Sequence, residues 1–273
     1  QFYDVSHPRR RALHRRYIRQ CLDNFRDSSN VIHFTSAEYS GPLEFVQFWI
    51  DVIAEWQQET GRNALVALSA PKDVQDAILA DEARASHVDV IDIRYWCYTE
   101  GGELYAPPGG QSLSPRQHLR KTRQKPRQAR EIARAVREYR TAYPDKAVTY
   151  FAEEHCPSAL DGWAVLMGGG SLADVPALPA ELQLKLADMR PLQKMASSED
   201  VLCLSDGSGE FLFYGTTPDA AARVEIPNAS ADLIASWINQ ETGQLTGDVR
   251  LSELNGPVTF REQVLWLRPG GDD

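Results

Sequence analysis

Apolar residues change their spacing at about residue 190, and this change divides the sequence into two kinds of structure. Before it, short apolar runs that suit strands alternate with longer segments of helical spacing. Such alternation is typical of βαβ units and predicts a parallel sheet. From about Ser198, short alternating segments separated by turns such as Asp206-Gly207 predict a small all-β sandwich. We therefore expect two domains, residues 1–190 and 198–273.

Four strands are predicted in the first domain, and helical segments separate them. The strands are expected at Val31–Glu38, Ala64–Leu68, Val88–Tyr98 and Ala147–Ala152. The basic segment Arg116–Ala142 is predicted to form a helix that is interrupted near Pro126, because proline breaks helical hydrogen bonds. A (β/α)8 TIM barrel takes about 250 residues. Four strands in this shorter region therefore indicate either a small open α/β sheet or the second half of a barrel.

The charge of the chain limits its partners. It has 29 Lys and Arg against 38 Asp and Glu, a net charge of −9, which argues against a dedicated nucleic-acid-binding protein. Basic residues concentrate in residues 1–30 and 116–146, each of which predicts an amphipathic helix. The basic faces are either solvated or contact an anionic ligand or partner. No apolar run approaches the ~20 residues of a membrane helix, so we expect no membrane partner.

Metal and cofactor chemistry is not predicted. The cysteines, at positions 21, 97, 156 and 203, are widely spaced and form no cluster with histidine, so neither a metal site nor a cofactor is expected. The segment Gly169-Gly-Ser171-Leu-Ala173 lacks the last glycine of a serine-hydrolase elbow. Gly168–Gly170 matches no phosphate-binding fingerprint.

Acidic residues follow two of the predicted strands, where parallel α/β folds place their ligands. Glu38 ends the first strand, and Glu153 and Glu154 follow the fourth. Glycoside hydrolysis uses two carboxyl groups, one that donates a proton and one that attacks or activates water. We therefore predict Glu38, paired with Glu153 or Glu154, as catalytic residues. The alternative is that they are helix caps or ion-pair partners, which are common at strand ends.

Five further residues are predicted to bind a carbohydrate substrate. They are Lys72, which follows the second strand, and Asp92, Arg94, Tyr95 and Trp96 in and after the third. Aromatic rings such as that of Trp96 suit stacking on a sugar. A guanidinium group is suited to pairing with the carboxylate of a uronate.

The alternation of side chains along the first strand predicts the face of the sheet to which Glu38 points. Glu38 shares its side of the strand with Ile32 and Phe34, whereas His33 and Thr35 look like the residues that face a barrel lumen. On this interpretation a bulge is needed before Glu38 to turn it inward.

Six motifs before residue 190 carry a resemblance: Phe2–Pro8, Tyr17–Asn24, Thr35–Tyr39, Lys72–Asp76, Asp89–Trp96 and Gly162–Met167. Together they resemble a family of bacterial proteins that are treated as glycoside hydrolases with a (β/α)8 barrel. The segments Phe211–Tyr214, Trp237–Gly243 and Leu265–Leu267 resemble the β-sandwich that often follows such barrels, sometimes labelled a collagen-binding domain.

The resemblance implies that the four strands are barrel strands four to seven. In many retaining barrel glycosidases the acid/base glutamate ends strand four and the nucleophile ends strand seven, the positions of Glu38 and of Glu153 or Glu154. Ala37 stands where an asparagine commonly precedes the acid/base residue. Strands one to three would then lie upstream of Gln1, and the parent protein would be secreted or periplasmic if it carries a signal peptide. The alternative is a non-catalytic carbohydrate- or surface-binding protein.

Overall fold

The chain forms two compact units. The first consists of residues 1–125 and 143–151, and the second of residues 126–142 and 152–273. The computed structural model describes residues 2–35, 42–110, 128–151, 158–192, 196–217, 219–224, 226, 233–253, 257–261 and 263–270. No helix within these ranges has the length and apolar character to cross a membrane. The expected domains, residues 1–190 and 198–273, divide the chain by the type of secondary structure and not by compactness. This division stays a prediction.

The first unit is a parallel sheet with helices. Its helices are α1 Pro8–Asn24, α2 Leu43–Thr60, α3 Lys72–Leu79 and α4 Glu82–Ala85. Its strands are β1 Ile32–Phe34, β2 Leu65–Ser69, β3 Val90–Ile93, β4 Cys97–Tyr98, β5 Leu104–Tyr105 and β6 Ala147–Tyr150. Strands β1, β2, β3 and β6 pair in that order and are all parallel, whereas β4 and β5 form a short hairpin. The predicted parallel α/β region is confirmed, and the described residues contain no closed barrel.

Helices α1 and α2 cover one face of this sheet. Ile18 and Leu22 of α1 and Trp56 of α2 belong to one buried apolar cluster with Val66 of β2. The indole Nε1 of Trp56 also donates a hydrogen bond of 2.8 Å to Asp23 Oδ1. Helical spacing of the apolar residues therefore places both helices on the same side of the sheet.

Two predicted elements differ from the structure in length. The apolar run Val88–Tyr98 forms two strands, because the chain leaves the parallel sheet after Ile93 and re-forms as the β4–β5 hairpin. Within the predicted basic helix, the described part is helical over Ala129–Ala142. Pro126 and the break expected there lie outside the described residues.

Side chains of β1 alternate in the opposite sense to the one expected. The His33 ring lies 6.2 Å from the ring of Phe25, which follows α1, so His33 faces the helical layer. Phe34 lies on the other face, where its ring is 5.8 Å from the guanidinium of Arg94. The expectation that His33 faces a lumen is therefore wrong, and the face of Phe34 is the one that carries the strand-end polar residues.

The strands of the second unit are antiparallel, which confirms the predicted β region towards the end of the chain. Its helices are α5 Ala129–Ala142, α6 Ser158–Met167 and α7 Ala180–Leu186. Its strands are β7 Arg190–Leu192, β8 Val201–Ser205, β9 Phe211–Gly215, β10 Ala221–Ala222, β11 Leu233–Asn239, β12 Leu245–Arg250, β13 Val258–Thr259 and β14 Gln263–Pro269, with a 3-10 turn at Leu251–Glu253. Six of these strands form one sheet in the order β12-β11-β14-β9-β8-β7, and β10 pairs with β13.

The six-stranded sheet is covered on both faces. On one face Phe213 and Leu265 pack with Phe260 and Ala222 beside the β10–β13 pair. On the other face the ring of Trp163, from α6, stacks on Tyr214 with 6.2 Å between centroids. The six-stranded sheet thus packs against a two-stranded sheet on one face and against a helix on the other.

Two neighbouring residues of helix α6 fix its position, one against the sheet region and one against the segment that follows the helix. The buried Nε1 of Trp163 donates a hydrogen bond of 2.9 Å to the main-chain oxygen of Gln240. A Cβ atom at Gly162 would collide with the main-chain carbonyl of Asp174, so the close approach at this point requires glycine.

Truncation of Trp163 tests this packing. We expect Trp163→Ala to lower the free energy of unfolding by about 3–5 kcal/mol, because a fully buried ring and its hydrogen bond are lost. Urea unfolding followed by circular dichroism measures the change. Leu184→Ala is the control, since that side chain is 79% exposed and should change stability by less than about 0.5 kcal/mol. Equal stability of both variants would contradict the packing described.

Candidate functional site

Three polar side chains form a row across the parallel sheet, near the carboxyl ends of its strands. Ser69 of β2, Asp92 of β3 and Thr149 of β6 are paired in register, so their side chains project to the same face. Ser69 Oγ donates a hydrogen bond of 2.7 Å to Asp92 Oδ2, and Thr149 Oγ1 donates one of 2.9 Å to Asp92 Oδ1. We call these three residues the strand-end row.

Arg94 is the third donor to the same carboxylate. Its Nε lies 3.0 Å from Asp92 Oδ2. Asp92 is only 3% exposed, and a buried carboxylate is stable when cations and hydrogen-bond donors compensate it. Asp92, at the centre of the strand-end row, therefore fixes the Nε side of the Arg94 guanidinium. Among the described residues, this guanidinium donates side-chain hydrogen bonds to Asp92 alone.

Two phenylalanine rings lie beside the Arg94 guanidinium. Its central carbon is 4.1 Å from the centroid of the Phe151 ring and 5.8 Å from that of Phe34, distances typical of cation–π contacts. Phe151 is 47% exposed and Phe34 is 44% exposed. The result is an accessible apolar surface with a positive group held at its centre, which we call the Arg94 platform.

A buried amide supports the platform from α3. Gln75 Nε2 donates hydrogen bonds to the main-chain oxygens of Leu68, at 3.0 Å, and of Asp92, at 2.8 Å. Its Oε1 accepts a hydrogen bond of 2.8 Å from Trp96 Nε1. One fully buried side chain therefore links α3 to the ends of β2 and β3 and fixes the indole of Trp96.

Lys72 lies over a ring of the same indole. Its Nζ is 4.7 Å from the centroid of a Trp96 ring and 3.0 Å from Asp76 Oδ2. Burial, together with the charge of Asp76, raises the pKa of the Tyr143 phenol nearby, although Lys72 acts in the opposite direction. Lys72 thus interacts with Trp96, with Asp76 and with Tyr143.

The structure brings together some of the residues predicted from the sequence. Asp92 and Arg94 are hydrogen-bonded, and Lys72 contacts Trp96. Tyr95 and Trp96 are 5% and 2% exposed, so little of either ring is accessible. Their role in substrate binding stays a prediction. The three glutamates predicted to be catalytic, Glu38, Glu153 and Glu154, lie outside the described residues.

Sequence reasoning missed the residues that complete the platform. Thr149 and Ser69 supply two of the three donors to Asp92, and Phe34 and Phe151 supply the exposed rings. A usable signal existed for Ser69, a polar residue that directly follows the predicted strand Ala64–Leu68. Among the described residues, no group of three or more histidine, cysteine, aspartate or glutamate side chains is placed to hold a metal ion.

The fold and the site define an α/β protein with a polar strand-end site, followed by an antiparallel β region. Residues 1–189 match a family described as "Domain of unknown function (DUF6298)". This match covers more than half of the chain, and the chain belongs to that family. No curated protein matches the sequence.

Replacement of the central carboxylate tests the strand-end row. Asp92→Asn substitutes an NH2 group for one oxygen, so at least one of the three donors loses its acceptor and Arg94 loses its counter-charge. We expect a loss of about 1.5–3 kcal/mol in the free energy of unfolding, measured with urea. Asp188→Asn makes the same chemical change on an exposed side chain and should have almost no effect. If Asp92→Asn left the free energy of unfolding unchanged, the strand-end row would not stabilise the sheet.

Proposed function

We propose that the chain is part of a glycoside hydrolase that acts on a poly- or oligosaccharide. The observation that carries the proposal is the Arg94 platform at the carboxyl end of the parallel sheet. Carbohydrate sites combine apolar faces, on which sugar rings lie, with a few fixed polar groups that bind hydroxyl or carboxylate oxygens. The rings of Phe34 and Phe151 and the guanidinium of Arg94 supply both kinds of group.

We further infer that β1, β2, β3 and β6 are barrel strands four to seven. Their order in the sheet follows their order in the chain, as in a (β/α)8 barrel, whereas a doubly wound sheet reverses direction at a switch point. The face that α1 and α2 leave uncovered carries Phe34 and Leu65, which are 44% and 42% exposed. Ala67 and Ser69 on the same face are fully buried, so further barrel strands would cover the part of this face that is still exposed.

The proposed chemistry requires two carboxyl groups. Glu38 follows β1 by four residues in the sequence, and Glu153 follows β6 by three, with Glu154 next to it. In the proposed mechanism Glu38 gives its proton to the leaving-group oxygen. Glu153 or Glu154 attacks the anomeric carbon, and water then releases the sugar. The Arg94 platform binds the substrate and takes no part in bond cleavage.

A hydrolysis screen with the natural polypeptide that contains this chain tests the catalytic assignment. With a neutral and an acidic polysaccharide as substrates, we expect Glu38→Gln to lower kcat by about 10²–10⁴-fold, because a general acid is lost. Glu103→Gln, on an exposed residue, is the matched control. Equal activity of Glu38→Gln and wild type would refute the acid/base role. Glycan binding without hydrolysis would support the non-catalytic alternative.

A second test addresses the Arg94 platform directly. Arg94→Gln keeps a polar side chain, which is shorter than that of arginine, and removes its charge. Since Arg94 binds and does not react, we expect KM for an acidic oligosaccharide to rise about tenfold while kcat changes little. A neutral oligosaccharide provides the comparison, because its KM should change less. A fall in kcat with an unchanged KM would argue against a binding role.

A further inference from the structure

A cleft of about 470 Å³ lies within the second compact unit. This volume falls within the range of about 300–1,000 Å³ that is usual for small-molecule sites. One side of α5 supplies its charged lining, Arg130, Glu131, Arg134 and Arg137, and the exposed Glu199 adds a second carboxylate. The other lining residues are small or apolar: Leu192, Ala196, Ser197, Ser198, Val201, Leu202 and Cys203. A ligand that fills the cleft therefore meets cationic groups and an apolar surface together.

The three arginines share one face of α5. Their spacing of four and then three residues places Arg130, Arg134 and Arg137 one above the other along the helix. Ile132 and Val136, on a different side of α5, are buried and fix the rotation of the helix. The sequence left open whether this basic face is solvated or contacts an anion. The second interpretation is favoured, because the arginines line a concave surface.

Acidic residues of the protein compensate part of this charge. Glu131 is 1% exposed, and its carboxylate lies 3.3 Å from Arg130 Nε and 3.5 Å from Arg134 Nη1. Arg130 is also 3.6 Å from Glu199, whose side chain is 90% exposed. The charge of Arg130 is therefore balanced inside the cleft.

Arg137 has no such compensation. It is half-buried, and within the described part of the chain its guanidinium forms neither a hydrogen bond nor an ion pair. Burial, and the charge of the neighbouring Arg134, lower the pKa of Arg137. A desolvated cation without a counter-charge is unfavourable, and an anion bound beside it removes that cost.

We propose that this cleft binds a small organic ligand through an oxyanion group, which is a carboxylate, a sulfate ester or a phosphate ester. The oxyanion pairs with Arg137 and Arg134, because a planar guanidinium matches two oxygens of such groups at once. The body of the ligand contacts apolar side chains such as Leu202. No residue of the Arg94 platform takes part, so binding here and glycoside hydrolysis succeed or fail independently.

Isothermal titration calorimetry on the whole chain tests the proposal with four probes of similar size. Glucose 6-phosphate, glucose 6-sulfate and glucuronate carry the three oxyanions, and glucose carries none. We expect at least one acidic probe to bind and glucose not to bind, and the strongest of the three identifies the oxyanion. Binding should weaken when salt is raised from about 20 mM to about 200 mM. Failure of all three acidic probes, or equal binding of glucose, would overturn the proposal.

Two variants of Arg137 locate the binding. Arg137→Gln should weaken the strongest probe by about tenfold or more, because a charged hydrogen bond is lost. Arg137→Lys keeps the charge without the paired donors and should give an intermediate Kd. Arg16→Gln removes the same charge from an exposed position of α1 and should leave Kd unchanged. Circular dichroism checks that each variant is folded. An unchanged Kd in a folded Arg137→Gln would overturn the assignment.

Discussion

The buried carboxylate of Asp92 holds the parallel sheet and the candidate site in a single arrangement. It accepts hydrogen bonds from Ser69, from Thr149 and from Arg94, and therefore joins three strands and the segment that follows β3. A buried carboxylate needs such donors, so the register of the strands and the position of Arg94 are fixed together. Gln75 adds the same kind of constraint from α3, through two main-chain oxygens. The rings around Arg94 depend on this arrangement.

Helices and strands can be predicted from the sequence where their apolar residues are the ones that become buried. Helix α2, with its apolar face around Trp56, is one of the expected helical segments between strands, and β2 lies within one residue of the predicted strand Ala64–Leu68. Strand β12, Leu245–Arg250, has no such apolar pattern, because its side chains are mostly exposed and its position depends on main-chain pairing with β11. Val88–Tyr98 was expected as one strand. It is divided because the chain turns away from the sheet after β3, where Trp96 donates to Gln75.

Some residues of the candidate site can be found from their position in the chain alone. Arg94 lies in the carboxyl-terminal half of the predicted strand Val88–Tyr98, and a rule based on strand ends needs no knowledge of spatial neighbours. The donors to Asp92 depend on strand register, which joins residues 23 and 57 positions away. Phe151 was missed because an apolar residue ordinarily predicts burial, whereas this ring is largely exposed. Trp96 shows the converse, since a side chain suited to sugar stacking is directed into the protein by its own N–H group.

The path of the chain between the two units has a consequence for synthesis. The chain leaves the first unit near residue 126, forms α5, and returns for residues 143–151 before it leaves again. During translation, strands β1 to β3 are therefore available well before β6, and domains generally begin to fold from the amino-terminal side. Until β6 emerges, Asp92 lacks the hydroxyl of Thr149, and the ring of Phe151 is not yet beside Arg94. The candidate site is thus completed by β6, the last of the four described parallel strands to leave the ribosome.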